Sequence, residues 1–121
     1  MSDITIRRVQ RVNRERANRW HSGDFTNWSG LEWAGALCGE AGEAANVAKK
    51  LRRIELSLDG NAKSDRPLDR NELVGQLAGE CADVFLYLCL LASRYEIDLD
   101  NAITRKFNSK SEQMGFPERI E

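Results

Sequence analysis

The chain has 121 residues, which suggests one domain, large enough for a real core but small for an elaborate one. With 41% hydrophobic and 31% charged residues and only two prolines, it reads as a soluble helical protein rather than a disordered one. A net charge of −1 excludes a global electrostatic pull towards nucleic acid.

The first helix is expected from about Ile4 to Trp20. Ile6, Val9, Val12 or Asn13, Ala17 and Trp20 recur at three- and four-residue steps, which defines an apolar stripe. Arg7, Arg8, Arg11, Arg14, Arg16 and Arg19 read as a solvated face or subunit salt bridges, with contact to a phosphate as the functional alternative. No apolar signal-peptide core follows these arginines. His21 to Gly30 is a loop rich in turn-forming residues. Phe25 and Trp28 are large for a loop and read either as a lid over the core or as platforms for stacking on a base. His21, the single histidine, reads as a cap or surface residue.

The second helix is expected over about Leu31–Leu56, with Ser29 as N-cap and Glu32 three residues on. It carries the motif Gly39-Glu40-Ala41-Gly42-Glu43. At about 100° per residue, Glu40 and Glu43 share a side with Trp33, Leu37, Ala44, Val47 and Leu51. Gly35, Gly39 and Gly42 fall on the opposite side, where close approach of another helix is expected. Ser57 to Asp69 forms a polar connection, long for a helix–helix joint and therefore expected to be mobile or functional.

The third helix is expected from Asp69 or Arg70 to about Tyr95, capped by Asp69 with Glu72 behind it. Its motif, Gly79-Glu80-Cys81-Ala82-Asp83, repeats the acidic pattern, with Glu80 and Asp83 beside Leu73, Leu77, Val84, Tyr87 and Leu91. From Val84 to Ala92 the helix is apolar nearly all round and must be covered on every side, in part by another subunit. That run is far short of the ~20 residues that span a bilayer, so no membrane is expected. Asp98 caps a fourth helix over about Leu99–Met114, ended by Gly115-Phe116-Pro117, and the tail from Glu118 carries no signal. Cys38, Cys81 and Cys89 form no CxxC pair and read as reduced, intracellular core thiols in a cytoplasmic protein.

Four carboxylates on the inward faces of two helices, with no matching buried bases, require a cation, because an unpaired buried carboxylate is very costly. Hard oxygen ligands suit Mg²⁺, with Mn²⁺ as a substitute. A di-iron bundle would instead want Glu-x-x-His pairs, which are missing here. The rival reading is a non-catalytic helical oligomerisation module, which explains the apolar helix but not the inward acids.

Helix-GEAGE, a linker, then ELVGQLAGECAD and an apolar helix resembles the MazG-like, all-α NTP pyrophosphatase superfamily over roughly residues 28 to 117. The ending Lys106-Phe107-Asn108-Ser109-Lys110-Ser111 with Gly115-Phe116-Pro117 is also similar to small members. The resemblance implies a single domain over residues 1–121: an all-α, four- to five-helix bundle completed by dimerisation, in some members paired into tetramers. It implies Mg²⁺-dependent conversion of a nucleoside triphosphate to the monophosphate and pyrophosphate, acting on dNTPs or abnormal nucleotides. By it, Glu40, Glu43, Glu80 and Asp83 are metal ligands, and Glu40 or Glu43 is the base that accepts the water's proton. Lys106 and Asn108 match positions that contact phosphate or sugar, and Tyr87 matches a frequent aromatic. Phe25, Trp28 and Trp33 are the candidates for stacking on the base. No stable nucleic-acid partner is implied. The separation between Glu43 and Glu80 is longer than in many relatives.

Overall fold

The structure is a computed structural model that describes residues 3–58 and 68–121. Among these residues the chain is all-helical. It forms α1 (Ile6–Trp20), a 3₁₀ turn (Phe25–Asn27), α2 (Gly30–Glu55), α3 (Arg70–Arg94) and α4 (Leu99–Met114). Observed helix ends fall within two residues of those expected. Most of the Ser57–Asp69 connection, and with it the reading of that segment, lies outside the described residues.

The starts and stops follow from local chemistry. The Thr5 hydroxyl accepts from the Arg8 N–H and caps α1. Asp69 accepts from the N–H groups of Asn71 and Glu72 at the head of α3, as expected, and Asp98 accepts from Asn101 N–H at the head of α4. Every helix ends the same way, with an N–H reaching back five residues across a residue of positive φ. The bonds are Gly23 N–H to the Asn18 carbonyl, Leu58 to Arg53, Ile97 to Ala92 and Phe116 to Ser111. The positive-φ residues that these bonds span are Ser22, Ser57, Glu96 and Gly115. Only Gly115 adopts this conformation without a Cβ penalty.

The residues group into two compact units. One comprises 1–30 with 89–121; the other is 31–88. In the first unit, α1 is held to the turn between α3 and α4 by two side chains. The Gln10 amide donates to the Ile97 carbonyl at 3.0 Å and accepts from the Leu99 N–H at 3.0 Å. Arg7 pairs with Asp98 at 3.1 Å and reaches Asp100 at 3.7 Å. Ala17, Phe25, Cys89, Leu90, Ala92 and Leu99 are its buried apolar residues. Within the α1 stripe, Asn13 is buried while Val12 is 46% exposed, and Trp20 at 72% lies outside the core. The Trp20 ring instead carries the Arg16 guanidinium, 5.2 Å from its centroid.

In the second unit the inner residues of α2 run Trp33, Leu37, Glu40, Ala44, Val47, Leu51, a helical repeat that matches the expected face. The glycine expectation is corrected. A Cβ on Gly35, Gly39 or Gly42 would meet nothing within 4 Å, so no helix approaches there among the described residues. Those glycines lie on the side away from the buried stripe. Two of the three cysteines also depart from expectation: Cys38 and Cys81 are exposed, and Cys89 alone is buried.

By length and composition alone, α3 is long and apolar enough to cross a membrane, a test that core helices of soluble proteins also pass. The expectation of no such segment rested on its longest apolar run and not on the whole helix. Every 18-residue window within α3 contains both Glu80 and Asp83, each of which would cost about 2.5–3.5 kcal/mol at a bilayer centre.

Candidate metal centre

The acids belong to the second unit and come from facing positions on α2 and α3. One carboxylate oxygen from each of Glu40, Glu80 and Asp83 lies within 4.8 Å of the other two. Glu43 is the fourth member. It hydrogen-bonds with both Glu40 and Glu80, so all four acids named from the sequence meet in one cluster.

The four are not equally inward. Glu40 and Glu80 are half-buried, whereas Glu43 and Asp83 are exposed, which corrects the expectation that all four face the interior. Three helical residues turn the chain by about 300°, so the second acid of each motif sits about 60° round from the first. The motif therefore supplies one covered carboxylate and one at the solvent edge. The Oε2 atoms of Glu40 and Glu80 are covered and have no hydrogen-bond partner.

Electrostatics follow from this crowding. Burial is the main cause raising the Glu40 pKa above the ordinary 4.5, joined by the charges of Glu43, Asp83 and Glu80 and a hydrogen bond with Glu43. The Glu80 pKa is raised by burial first, then by the hydrogen bond and charge of Glu43 and by Asp83. A hydrogen bond between two carboxyl groups needs a proton on one of them. Crowding therefore favours the neutral forms of Glu40 and Glu80, and a bound cation would relieve the same repulsion. The donors are all carboxylate oxygens, and two of them are orphaned under cover. This set fits a hard divalent cation of the Mg²⁺ or Mn²⁺ kind.

The expected substrate residues divide. Tyr87 is half-buried one turn beyond Asp83, its ring tilted at 44° to that of Trp33 with centroids 6.1 Å apart. Trp33 is 2% exposed and Phe25 is 1% exposed, so both are core side chains and neither offers a face for stacking on a base. Phe25 is pinned by its own N–H, which donates to Asn18 Oδ1 at 2.8 Å, and it lies under the Arg14 guanidinium. Trp28, 36% exposed, stands edge-on to the His21 ring at 5.2 Å.

Lys106 is exposed on α4 in the first unit. Asn108 is committed elsewhere. Its side-chain amide donates to the Ile120 carbonyl at 2.9 Å and accepts from the Ile120 N–H at 2.7 Å. The C-terminal tail, which carried no sequence signal, occupies the hydrogen-bonding groups expected to meet phosphate or sugar. Ile120 and its Asn108 partner are separated by twelve positions, a distance at which sequence pattern alone does not pair residues.

Compared with known proteins, the chain matches no protein-family model, no curated protein and no solved structure.

Proposed function

We propose that this chain is a Mg²⁺-dependent nucleoside triphosphate pyrophosphohydrolase of the MazG-like type, converting (d)NTP and water to (d)NMP and pyrophosphate. The observation that carries the reading is the four-acid cluster with covered, unpartnered oxygens on Glu40 and Glu80. A structural role alone gives no reason to crowd four like charges, since their repulsion weakens the fold. Resemblance of the two acidic motifs to that superfamily supports the substrate and the bond cleaved.

Glu40, Glu80 and Asp83 would hold the metal, with Glu43 closing the set. When bound, a divalent cation neutralises triphosphate charge and activates water for in-line attack. Glu43 reaches both neighbours yet keeps an exposed carboxylate, which suits it to accept the attacking water's proton; Glu40 is the other candidate. Tyr87 against Trp33 stiffens the helix face next to Asp83. The resemblance alone names Lys106 as a cation for phosphate oxygen. The half-buried α3 surface from Val84 to Leu88 supports assembly as a homodimer or tetramer.

The test is pyrophosphate release from a panel of dNTPs and modified NTPs in Mg²⁺ and Mn²⁺. Glu43→Gln and Asp83→Asn should each abolish it while the helical content stays unchanged. Near wild-type turnover by either variant at saturating Mg²⁺ would overturn the ligand assignment. Lys106→Ala should lower kcat/KM at least about tenfold, roughly 1.4 kcal/mol of transition-state stabilisation, and Lys110→Ala much less. Absence of hydrolysis across the whole panel would favour the helical oligomerisation module, which the apolar α3 also fits.

A further inference from the structure

The C-terminal end of the first unit carries a concavity of about 470 Å³ between α4 and the returning tail. Phe107, Ser111 and Met114 recur at i, i+4 and i+7, so they share one face of α4. Lys110 joins them from the same helix, and Phe116 and Glu118 line the concavity from the tail. The tail is fixed by polar bonds. The Phe116 N–H donates to the Ser111 carbonyl at 2.9 Å, Asn108 pairs with Ile120, and Arg119 donates to the carbonyls of Phe116 and Glu118.

These bonds set the path of the tail but leave its apolar groups uncovered. Phe107, Met114 and Phe116 remain 44%, 54% and 53% exposed. Single exposed apolar residues are ordinary on a protein surface. Two aromatic rings and a methionine lining one concavity have instead the composition of an interface centre.

The charges in the lining decide what fits there. Lys110 comes from α4 and Glu118 from the tail; both are exposed, and neither forms an ion pair among the described residues. The lining therefore has no net charge and draws in neither a polyanion nor a polycation. It does complement itself. In a two-fold interface, residue i of one copy meets residue j of the other and j meets i. Lys110 then faces the partner's Glu118, and Glu118 faces the partner's Lys110.

We infer that a second copy of this chain docks on this face, through a two-fold interface that buries Phe107, Met114 and Phe116 between reciprocal Lys110–Glu118 pairs. These residues belong to the first unit, whereas the α3 surface from Val84 to Leu88 belongs to the second, so the two associations are tested separately.

The experiment is sedimentation equilibrium of the full chain at micromolar concentration. Phe116→Asp should halve the assembled mass with helical content unchanged. Lys110→Glu and Glu118→Lys should each raise the dissociation constant at least about tenfold, because each reversal puts two like-charge contacts into every interface. An equimolar mixture of the two reversed chains should regain wild-type affinity, since every contact in the mixed pair again joins opposite charges. If Phe116→Asp loosens the tail, the reversals and their mixture decide. An assembly whose mass is indifferent to all three substitutions would run through α3 alone, overturning this inference and leaving the α3 reading intact. A monomeric wild type, or a mixture as weakly associated as its components, would overturn it as well.

Discussion

Asn108 and Ile120 are joined by a reciprocal pair of hydrogen bonds, side-chain amide to backbone amide, which folds the last residues of the chain back onto α4. The geometry imitates a rung of β-sheet with one side-chain partner. Arg119 closes the same turn by donating to the carbonyls of Phe116 and Glu118. Asn108→Ala should therefore cost about 1 kcal/mol of stability, a typical net worth for such bonds at a surface. It should also raise amide exchange and proteolysis over 116–121. Truncation after Pro117 should remove the difference between Asn108 and Ala. If the two changes proved additive, the tail contact would not be where the cost arises.

Gly30 touches Tyr95 so closely that a Cβ at position 30 would fall on the phenol ring and its hydroxyl. Gly30→Ala must displace Tyr95, which is itself 61% exposed and able to swing away at some cost. Loss of about 1–3 kcal/mol is expected, the usual range for overpacking. In a Tyr95→Ala background the same substitution should become neutral or mildly stabilising, since alanine favours the helix start over glycine. A cost unchanged by removing Tyr95 would mean that backbone conformation, not the ring, selects glycine.

These two contacts mark what sequence could and could not convey. The helices were legible because Asp69, Asp98 and Gly115 are strong local punctuation and because Trp33–Leu51 keeps a steady helical period. The acidic cluster was legible because two identical spacings put acids on apolar faces. The split between covered Glu40 and Glu80 and exposed Glu43 and Asp83 was not, since it depends on a 60° offset at the edge of a packed face. Asn108, Gln10 and Gly30 act through partners 12, 87 to 89 and 65 residues away, and no periodicity reports such pairs. Phe25 reads from sequence as a lid over the core or a stacking platform, and Trp33 as an inner-stripe residue or a stacking candidate, because aromatic size suits both a pocket wall and a core; burial decides for the core in both cases.

The left-handed helix stops offer a control on the backbone. Ser57 has φ of 55° at the end of α2, where glycine is the usual occupant. Ser57→Gly should stabilise the chain by up to about 1 kcal/mol, and Gly115→Ala, at φ of 72°, should destabilise it by about 1 kcal/mol. Thermal midpoints of the two variants, moving in opposite directions, would verify this. Parallel shifts would refute it.

The acidic cluster should dominate the pH dependence of stability above the ordinary glutamate range. Glu40 and Glu80 have pKa values raised in the folded chain, by burial first and by their acidic neighbours next. Such groups favour the folded state fully below the unfolded value of about 4.5, and that contribution is lost as pH rises through their folded values. Asp24 and Asp98 act in the opposite sense. Hydrogen bonds from Thr26 and Arg7 lower their pKa values, so their contribution is present above 3.8 and disappears only as pH falls through the lowered values. The two effects occupy different ends of the scale. In EDTA, the thermal midpoint should decline as pH rises from about 5 to 8, because protons that relieve the crowded carboxylates are removed. Mg²⁺ or Mn²⁺ should restore it, and more strongly at higher pH, where cation no longer competes with proton. Glu80→Gln should flatten the decline in EDTA and abolish most of the gain from metal, since it removes one charge and one ligand together. A midpoint in EDTA indifferent to pH over that window, or equal metal stabilisation of wild type and Glu80→Gln, would show that Glu40, Glu80 and Asp83 do not share a cation.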